Sequence, residues 1–323
     1  MSMRVGDESG RARATAIDAT LLAVDPVLTP EDGSAWRAAG RRFRRHPVAM
    51  VGLGFLVVMV LACFAGAHFA PDPDYQDLAR PTSGPSSAHW FGTDELSRDS
   101  LSRVLHGGQI SLRVALGVAL LSTVIGVVIG ALAGFYRGWF DELLMRFTDL
   151  WIALPAIPFL AVAVSIGTVD LGPFGTLDLG GPFGITLLLS FLLWGSIARV
   201  VRGATLALRE REFVDAARAI GASNTRIITR HVLPNCLGPI IVNATLVVAE
   251  AILVESTLSF LGFGIQPPTP SWGNLLSDSI GTVQDWWWLT VFPGLAIFLT
   301  VLAVNFVGDG LRDAFDPRRR VRA

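Results

Sequence analysis

Residues 212–238 read Glu-Phe-Val-Asp-Ala-Ala-Arg-Ala-Ile-Gly-Ala-Ser-Asn-Thr-Arg-Ile-Ile-Thr-Arg-His-Val-Leu-Pro-Asn-Cys-Leu-Gly. This polar, Arg-rich stretch is wedged between two apolar segments, each long enough to cross a bilayer. Asp215 to Ile220 are good helical material, and Ala216, Ala217 and Ala219 give a small face for close packing. Gly221 can take the left-handed conformation that ends such a helix at little steric cost. Ser223 or Asn224 can cap a following helix, Thr225 to Val232, which is predicted to stop before Pro234. The stretch therefore reads as a rigid helix-turn-helix protruding from a membrane face.

Working outward, six apolar segments stand out at roughly Val48 to Ala70, Ile110 to Phe135, Leu143 to Gly167, Gly184 to Val201, Pro239 to Gly262 and Leu289 to Gly308. Each can span ~30 Å of hydrocarbon as a helix of about 20 residues. The runs are continuously apolar rather than alternating, which argues for helices over a barrel. Composition agrees: 51% apolar, 16% charged and a mean hydropathy of +0.52 place the chain among integral membrane proteins. All 26 basic residues are arginine. A phosphate-binding loop needs its lysine and a Schiff-base enzyme needs an amine, so the chain is a poor candidate to hydrolyse ATP itself. Cys63 and Cys236 are too few for a disulfide framework and read as reduced and structural.

Orientation follows from the arginines, which gather in cytoplasmic loops. With the N-terminus inside, the inner segments hold Arg37, Arg41, Arg42, Arg44 and Arg45, then Arg137 and Arg146, then the run from Arg199 to Arg230, then Arg312 and the last four; the outer loops hold Arg80, Arg98 and Arg103. Both termini are thus expected in the cytoplasm. Trp272, Trp286, Trp287 and Trp288 then fall at the outer interface, where indoles anchor between headgroup and acyl chain. The expected organisation is a flexible cytoplasmic tail (1–34), an amphipathic segment with the first span (35–70), an outer loop (71–109), a core of five spans (110–310) and a cytoplasmic tail (311–323). Within the outer loop, Thr93-Asp94-Glu95 resembles a helix N-cap and Gly107-Gly108 a helix end, which predicts a short outer helix ahead of the second span.

The core of the opening stretch, Asp215-Ala216-Ala217, then Gly221, then Leu233-Pro234, resembles the "EAA" loop of ATP-binding cassette (ABC) importer permeases. Phe91 to Asp99, Ser102-Arg103-Val104 and Ser111-Leu112 are similar to the outer-loop signature of the C-type subunit of dipeptide/oligopeptide permeases. Asp141, Met145-Arg146, Asp149 and Pro155 are similar to its second cytoplasmic loop and third span, and Arg230 to Asn235, Leu258 to Gly262, Pro267-Pro268, Pro270 to Gly273 and Gly308 to Asp313 also resemble that family. The resemblance runs from about Trp36 to Arg320. Two departures from the general importer loop are Asp215 in place of Glu and His231 in place of Ile; the second fits the peptide branch.

What the resemblance implies is an all-α integral membrane protein with the type I ABC importer permease fold. It would have six transmembrane helices and a coupling loop over 205–238, in the bacterial cytoplasmic membrane. A homologous B-type permease would complete a heterodimer. ABC ATPase subunits would dock on the loop through Asp215, Ala216, Ala217, Gly221, Arg226, His231, Leu233 and Pro234. An extracytoplasmic solute-binding protein would deliver cargo, and lipid would surround the spans. ATP and Mg would be bound by the ATPases, with no cofactor or metal held by this chain. Cargo in such relatives includes dipeptides, oligopeptides, nickel chelates, haem and glutathione.

Carboxylates inside a bilayer are costly and mark a partner or a wet cavity. Glu250 lies about 11 residues into the fifth span, ~16 Å along a helix, and Asn243 shares its face; Glu255 is rotated roughly 140° away. Glu250 with Asn243, and more weakly Glu255, are the candidate path residues, with an inter-subunit hydrogen bond as the alternative for Glu250. Gly126, Gly130 and Gly134 line one helix face and suit close helix packing, while Pro155 and Pro158 permit a kink in the third span. Asp309, Asp313 and Asp316 read as a solvated rim rather than a metal site. The five histidines show no ligand spacing, and a helix-turn-helix for nucleic acid is excluded by flanks that enter the membrane. A self-sufficient secondary transporter or channel would show inverted repeats or paired broken helices.

Overall fold

A helix that must cross hydrocarbon satisfies its backbone internally, and the chain does so almost throughout. The computed structural model describes residues 32–77, 82–170 and 172–315; the tail expectations for 1–31 and 316–323 lie outside them. In chain order the helices are α1 (Asp32–Arg44), α2 (Pro47–Phe64), α3 (Ser100–Tyr136), α4 (Gly138–Ile152), α5 (Ala156–Ser165), α6 (Pro182–Arg209), α7 (Glu212–Ala219), α8 (Asn224–Ile227), α9 (Leu233–Phe260), α10 (Trp272–Asp278) and α11 (Trp288–Phe315). The unit from Arg42 onward carries α2 to α11. Helical stretches containing α2, α3, α6, α9 and α11 are each long and apolar enough to span.

The third apolar segment is met by a broken pair rather than one helix. α4 and α5 are bent by 79°, with Pro155 as the N-cap of α5. The kink predicted at Pro155 is there, and it is sharp because a proline cannot continue the helix before it.

α3 and α6 form the most extensive helix pair. A Cβ on Gly126 would sit 2.8 Å from the Trp194 carbonyl oxygen, one on Gly134 2.8 Å from the Arg202 oxygen, and one on Gly130 would overlap the Ala198 oxygen. The glycine stripe therefore lets two backbones touch, the small-residue packing of membrane helices. A second close approach joins α2 and α11, where a Cβ on Gly52 would lie 2.8 Å from the Ala303 oxygen.

Three expectations are corrected. No separate helix is formed over residues 93–99: α3 starts at Ser100, capped by the Asp99 carboxylate accepting from the Ser102 N–H at 2.8 Å. It runs through Gly107-Gly108 because those glycines admit α10; a Cβ on Gly108 would lie 2.8 Å from the Trp272 ring. Thr93-Asp94-Glu95 instead belongs to a tight loop in which Asp94 Oδ1 accepts from the Leu96 and Arg98 N–H groups at 3.0 and 2.9 Å.

Of the four tryptophans expected at the interface, Trp287 is exposed and Trp286 half-buried, but Trp272 and Trp288 are buried in the fold. Their indole N–H groups donate to the Val104 and Thr93 oxygens at 3.0 and 3.2 Å. Finally, the second helix of the opening stretch does not stop before Pro234. A π turn, Ile228–Val232, carries α8 straight into α9. The Leu233 N–H reaches back to the Ile228 oxygen, and this widening accommodates a proline whose ring would clash with the carbonyl four residues earlier.

The connection between α5 and α6 is a self-paired repeat, Thr168-Val-Asp against Thr176-Leu-Asp, forming antiparallel strands β1 (Thr168–Asp170) and β2 (Thr176–Asp178) with Val169 opposite Leu177. Asp170 and Asp178 each accept from the N–H two residues on, at 2.8 and 2.9 Å, which shapes both turns.

If the glycine stripe sets the α3–α6 distance, Gly130→Val should cost about 1–3 kcal/mol by overpacking. The loss should appear as a lower melting temperature of the detergent-solubilised chain. An unchanged transition would show that the two helices separate freely.

Candidate functional site: the helical finger and the buried carboxylate

At the end of the bundle where α3 finishes and α6 hands over to α7, residues 210–232 make a finger whose shape is locally determined. α7 ends in a paired cap. The Gly221 N–H donates to the Arg218 oxygen at 2.9 Å and the Ala222 N–H to the Ala217 oxygen at 3.0 Å, with Gly221 at φ +82. This is the arrangement for which a Cβ-free residue is favoured. Ser223 then caps α8, accepting from the Arg226 N–H at 3.4 Å. Val214, Ile227 and Val232 are fully buried and pin the two arms together.

The predicted site residues divide by environment. Asp215, Ala216, Gly221, Arg226 and Pro234 are exposed, and His231 and Leu233 are half-buried. Asp215 is held by Arg218 at 3.0 Å. Ala217 is buried and packs inside the finger, so its small size serves the fold and it offers no contact surface. The residue the motif reading passed over is Ile220, which stands at the turn 86% exposed. A large aliphatic side chain placed there by its own helix cap is the finger's apolar tip. Its signal in the sequence was an isoleucine immediately before the turn glycine.

The base of the finger is not legible in the sequence, where its arginines carry only a topology signal. Arg209 at the end of α6 donates to the carbonyl of Phe135 at the end of α3, and its guanidinium lies 5.8 Å from the Phe135 ring centre. Arg218 of α7 lies 5.7 Å from the same ring. Phe135 is thus a buried aromatic gripped by cations from both sides of the α6–α7 turn, each contact worth about 0.5–1 kcal/mol or more when desolvated.

Around it, Arg202 makes a two-pronged bond to Asp141 at 2.6 and 2.7 Å. Arg137 meets Glu210 at 2.7 Å and Arg199 meets Asp149 at 2.6 Å. The Arg202–Asp141 fork, with its carboxylate largely shielded, carries more than the two exposed pairs, which contribute about 0–1 kcal/mol each.

Within the bundle the two α9 carboxylates have opposite surroundings. Glu255 is fully buried and accepts from Ser259 Oγ at 2.8 Å, Ser111 Oγ at 3.1 Å and Ser256 Oγ at 3.4 Å. It ties α9 to α3 and has no face left for a path, which corrects its candidacy. Glu250 is exposed on the side of α9 that also carries Asn243, Leu246 and Leu253 at intervals of three and four. Asn243 Nδ2 donates to the Pro239 oxygen at 3.2 Å. Among the described residues no group of three His, Cys, Asp or Glu side chains could hold a metal ion.

Comparison with known proteins places these features in context. Residues 126–321 match the family described as binding-protein-dependent transport system inner membrane component, and residues 34–85 match the N-terminal TM domain of oligopeptide transport permease C. A glutathione transport system permease protein, GsiD of Escherichia coli O6:K15:H31 (strain 536 / UPEC), is 41% identical over 309 residues, covering 95% of this chain and 97% of that protein. A putative peptide transport system permease protein of Brucella abortus biovar 1 (strain 9-941) is 44% identical over 282 residues, 87% and 91% of the two chains. A solved chain of the MetNI methionine ABC transporter, in an inward-facing conformation, superposes with a TM-score of 0.54 at 19% identity over 66% of this chain and 96% of that one, a likeness of fold.

Phe135→Leu keeps an apolar side chain but removes the ring face that both guanidiniums approach. Amide hydrogen exchange in 212–220 should quicken while exchange in the centre of α9 stays the same. Equal protection in the variant and the parent chain would show that the arginines hold the finger without the ring.

Proposed function

From the premise that the chain belongs to the binding-protein-dependent inner membrane permeases, with the N-terminal signature of oligopeptide permease C, we propose that it is the C-type half of a peptide-class ABC importer. The observation that carries this reading is the finger: a capped, internally packed helix-turn-helix with an exposed Ile220 tip, clamped at its base to α3 and α6. A separate ATPase that closes on ATP needs a stiff element to push against, and the finger offers an apolar knob at Ile220 with Asp215 and Arg226 also exposed on its two arms. Gly221 shapes its turn, Ala217 supports it from inside, and His231, Leu233 and Pro234 carry it into α9.

In this reading the ATPases bind ATP and Mg, and the chain itself binds neither. A homologous B-type permease completes the translocation path, and an extracytoplasmic binding protein delivers cargo. The arginine distribution supports a cytoplasmic finger and cytoplasmic termini in a bacterial inner membrane. The exposed α9 face with Asn243 and Glu250 would line the path, where a carboxylate can meet a peptide ammonium during alternating access. Di- and oligopeptides are the proposed cargo. Glutathione, itself a peptide in chemistry, is a second reading favoured by the name of the Escherichia coli relative.

Gly221→Pro is the test. The residue sits at φ +82, which proline cannot adopt, and proline removes the N–H bonded to Arg218. Uptake of labelled dipeptide and of glutathione by cells carrying the whole transporter should fall by about tenfold or more, the factor given by ~1.4 kcal/mol of lost coupling. The amount of protein in the membrane should stay the same, and co-purified ATPase activity should drop. Normal uptake of both cargoes by the variant would overturn the docking role.

A further inference from the structure

Between Asp32 and Asp72 the chain carries no carboxylate, yet Arg37, Arg41, Arg42, Arg44 and Arg45 are crowded into that interval. All but Arg45 lie on α1. With 3.6 residues per turn, Arg37, Arg41 and Arg44 fall within about 60° of one another and make one face, and Trp36, Gly40 and Phe43 make the adjoining one.

The last turn of the helix is fastened to the bundle. Arg42 Nη1 donates to the Ala314 oxygen near the end of α11 at 3.3 Å, and a Cβ on Gly310 would lie 3.2 Å from the Phe43 ring. Just beyond α1, His46 Nδ1 accepts from the Ala49 N–H in the first turn of α2 at 3.2 Å, and its Nε2 lies 3.7 Å from Asp313. The arginine face has no such engagement. Arg37, Arg41, Arg44 and Arg45 are exposed and pair with no carboxylate among the described residues. Like charges three and four residues apart destabilise a helix, so this face calls for an anionic counterpart from outside the chain.

The neighbourhood of α2 decides what supplies it. Only Arg45 and His46 separate the two helices. Of the five spanning stretches, the one that holds α2 is the least enclosed by protein, with 17% of its apolar window buried against 28–67% in the others. A helix so little covered is surrounded by acyl chains, and the arginine face begins where that helix leaves them. Trp36, 45% exposed, is the side chain that settles between headgroup and acyl chain. An acidic protein would match the charge but would give no reason for this position beside a lipid-clad span. We propose that α1 is a binding surface for anionic phospholipid headgroups, with Arg37, Arg41 and Arg44 toward the phosphates, Trp36 at the headgroup boundary and the last turn tying that attachment to α2 and α11.

The inference goes beyond the transport reading and requires only that α2 spans the bilayer. Its test uses the full chain in lipid nanodiscs without ATP, cargo or other subunits, so failure here leaves the import reading intact. A Cβ at Gly40 meets nothing within 4 Å, and Cys63 and Cys236 are buried, so Gly40→Cys can carry a nitroxide on the Trp36 side of α1. Electron spin resonance then reads collision of the nitroxide with a neutral, water-soluble nickel chelate, the unsubstituted chain giving the labelling baseline.

Replacing part of the phosphatidylcholine by phosphatidylglycerol is expected to lower that collision rate about fivefold or more, the share of a single arginine near an anionic surface. Salt at about 1 M, where the screening length is ~3 Å, should reverse the change. The triple substitution Arg37→Gln, Arg41→Gln, Arg44→Gln should abolish the dependence on phosphatidylglycerol. Arg37→Lys, Arg41→Lys, Arg44→Lys should keep it, because a headgroup layer responds to charge at each position. Equal collision rates in the two lipids, a dependence that survives the glutamine substitutions or is lost with lysine, or shielding that ignores phosphatidylglycerol and comes only on adding ATPase subunits would each overturn the proposal.

Discussion

Because acyl chains are as apolar as leucine, the helices of this bundle gain little by hiding apolar faces from them, and their association depends on close backbone approach and on polar bonds. The contact between α3 and α6 at Gly126, Gly130 and Gly134 is the longest such approach, and the rest of the molecule is arranged on it. Two helices held that tightly along their length must also end side by side. Phe135 is thereby delivered to Arg209, Arg137 to Glu210 and Asp141 to Arg202. The finger inherits its position from the glycine stripe in the last third of α3, through a base made of arginines.

The same constraint explains why two glutamates five residues apart have different fates. Once α9 is packed on α3, one side of it faces protein and the other does not. Glu255 falls on the packed side, where Ser111, Ser256 and Ser259 replace the water its carboxyl loses. Glu250 falls on the open side with Asn243. The helical angle between them already separated the pair in sequence. It did not say which side was packed, because that depends on residues of α3 more than a hundred positions earlier.

Much of the helical architecture was legible for a physical reason: apolar length is a direct consequence of bilayer thickness. Gly221 and Ser223 were legible because caps are local, made by residues within a few positions of each other. The misreadings share the opposite property. Gly107-Gly108 fits a helix end by local rules, yet α10 fills the space beside these glycines. Trp272 and Trp288 fit an interfacial anchor by type, yet they are buried and the backbone carbonyls of Val104 and Thr93 accept their N–H groups. Pro234 looked like a stop, which local rules favour, but a π turn absorbs it. In each case a partner distant in sequence, or a rarer backbone geometry, prevailed over the local preference.

That π turn has a mechanical consequence. A helix that ended before Pro234 would have joined the finger to α9 through a loop, and a displacement of the finger could have been lost there. Instead Asn224 to Phe260 is one helical stretch of 37 residues, about 55 Å at 1.5 Å per residue. It starts at the Ser223 cap, passes the exposed Glu250 face and reaches Glu255 and its serines at the other end of the bundle. A proline needs a local widening here rather than a break, so stiffness is preserved where a push at the proposed docking tip would have to be transmitted. The arginine grip on Phe135 fixes the other arm of the finger to α3. A load on Ile220 is therefore shared between two helices that Glu255 itself connects, and tilting one requires moving the other.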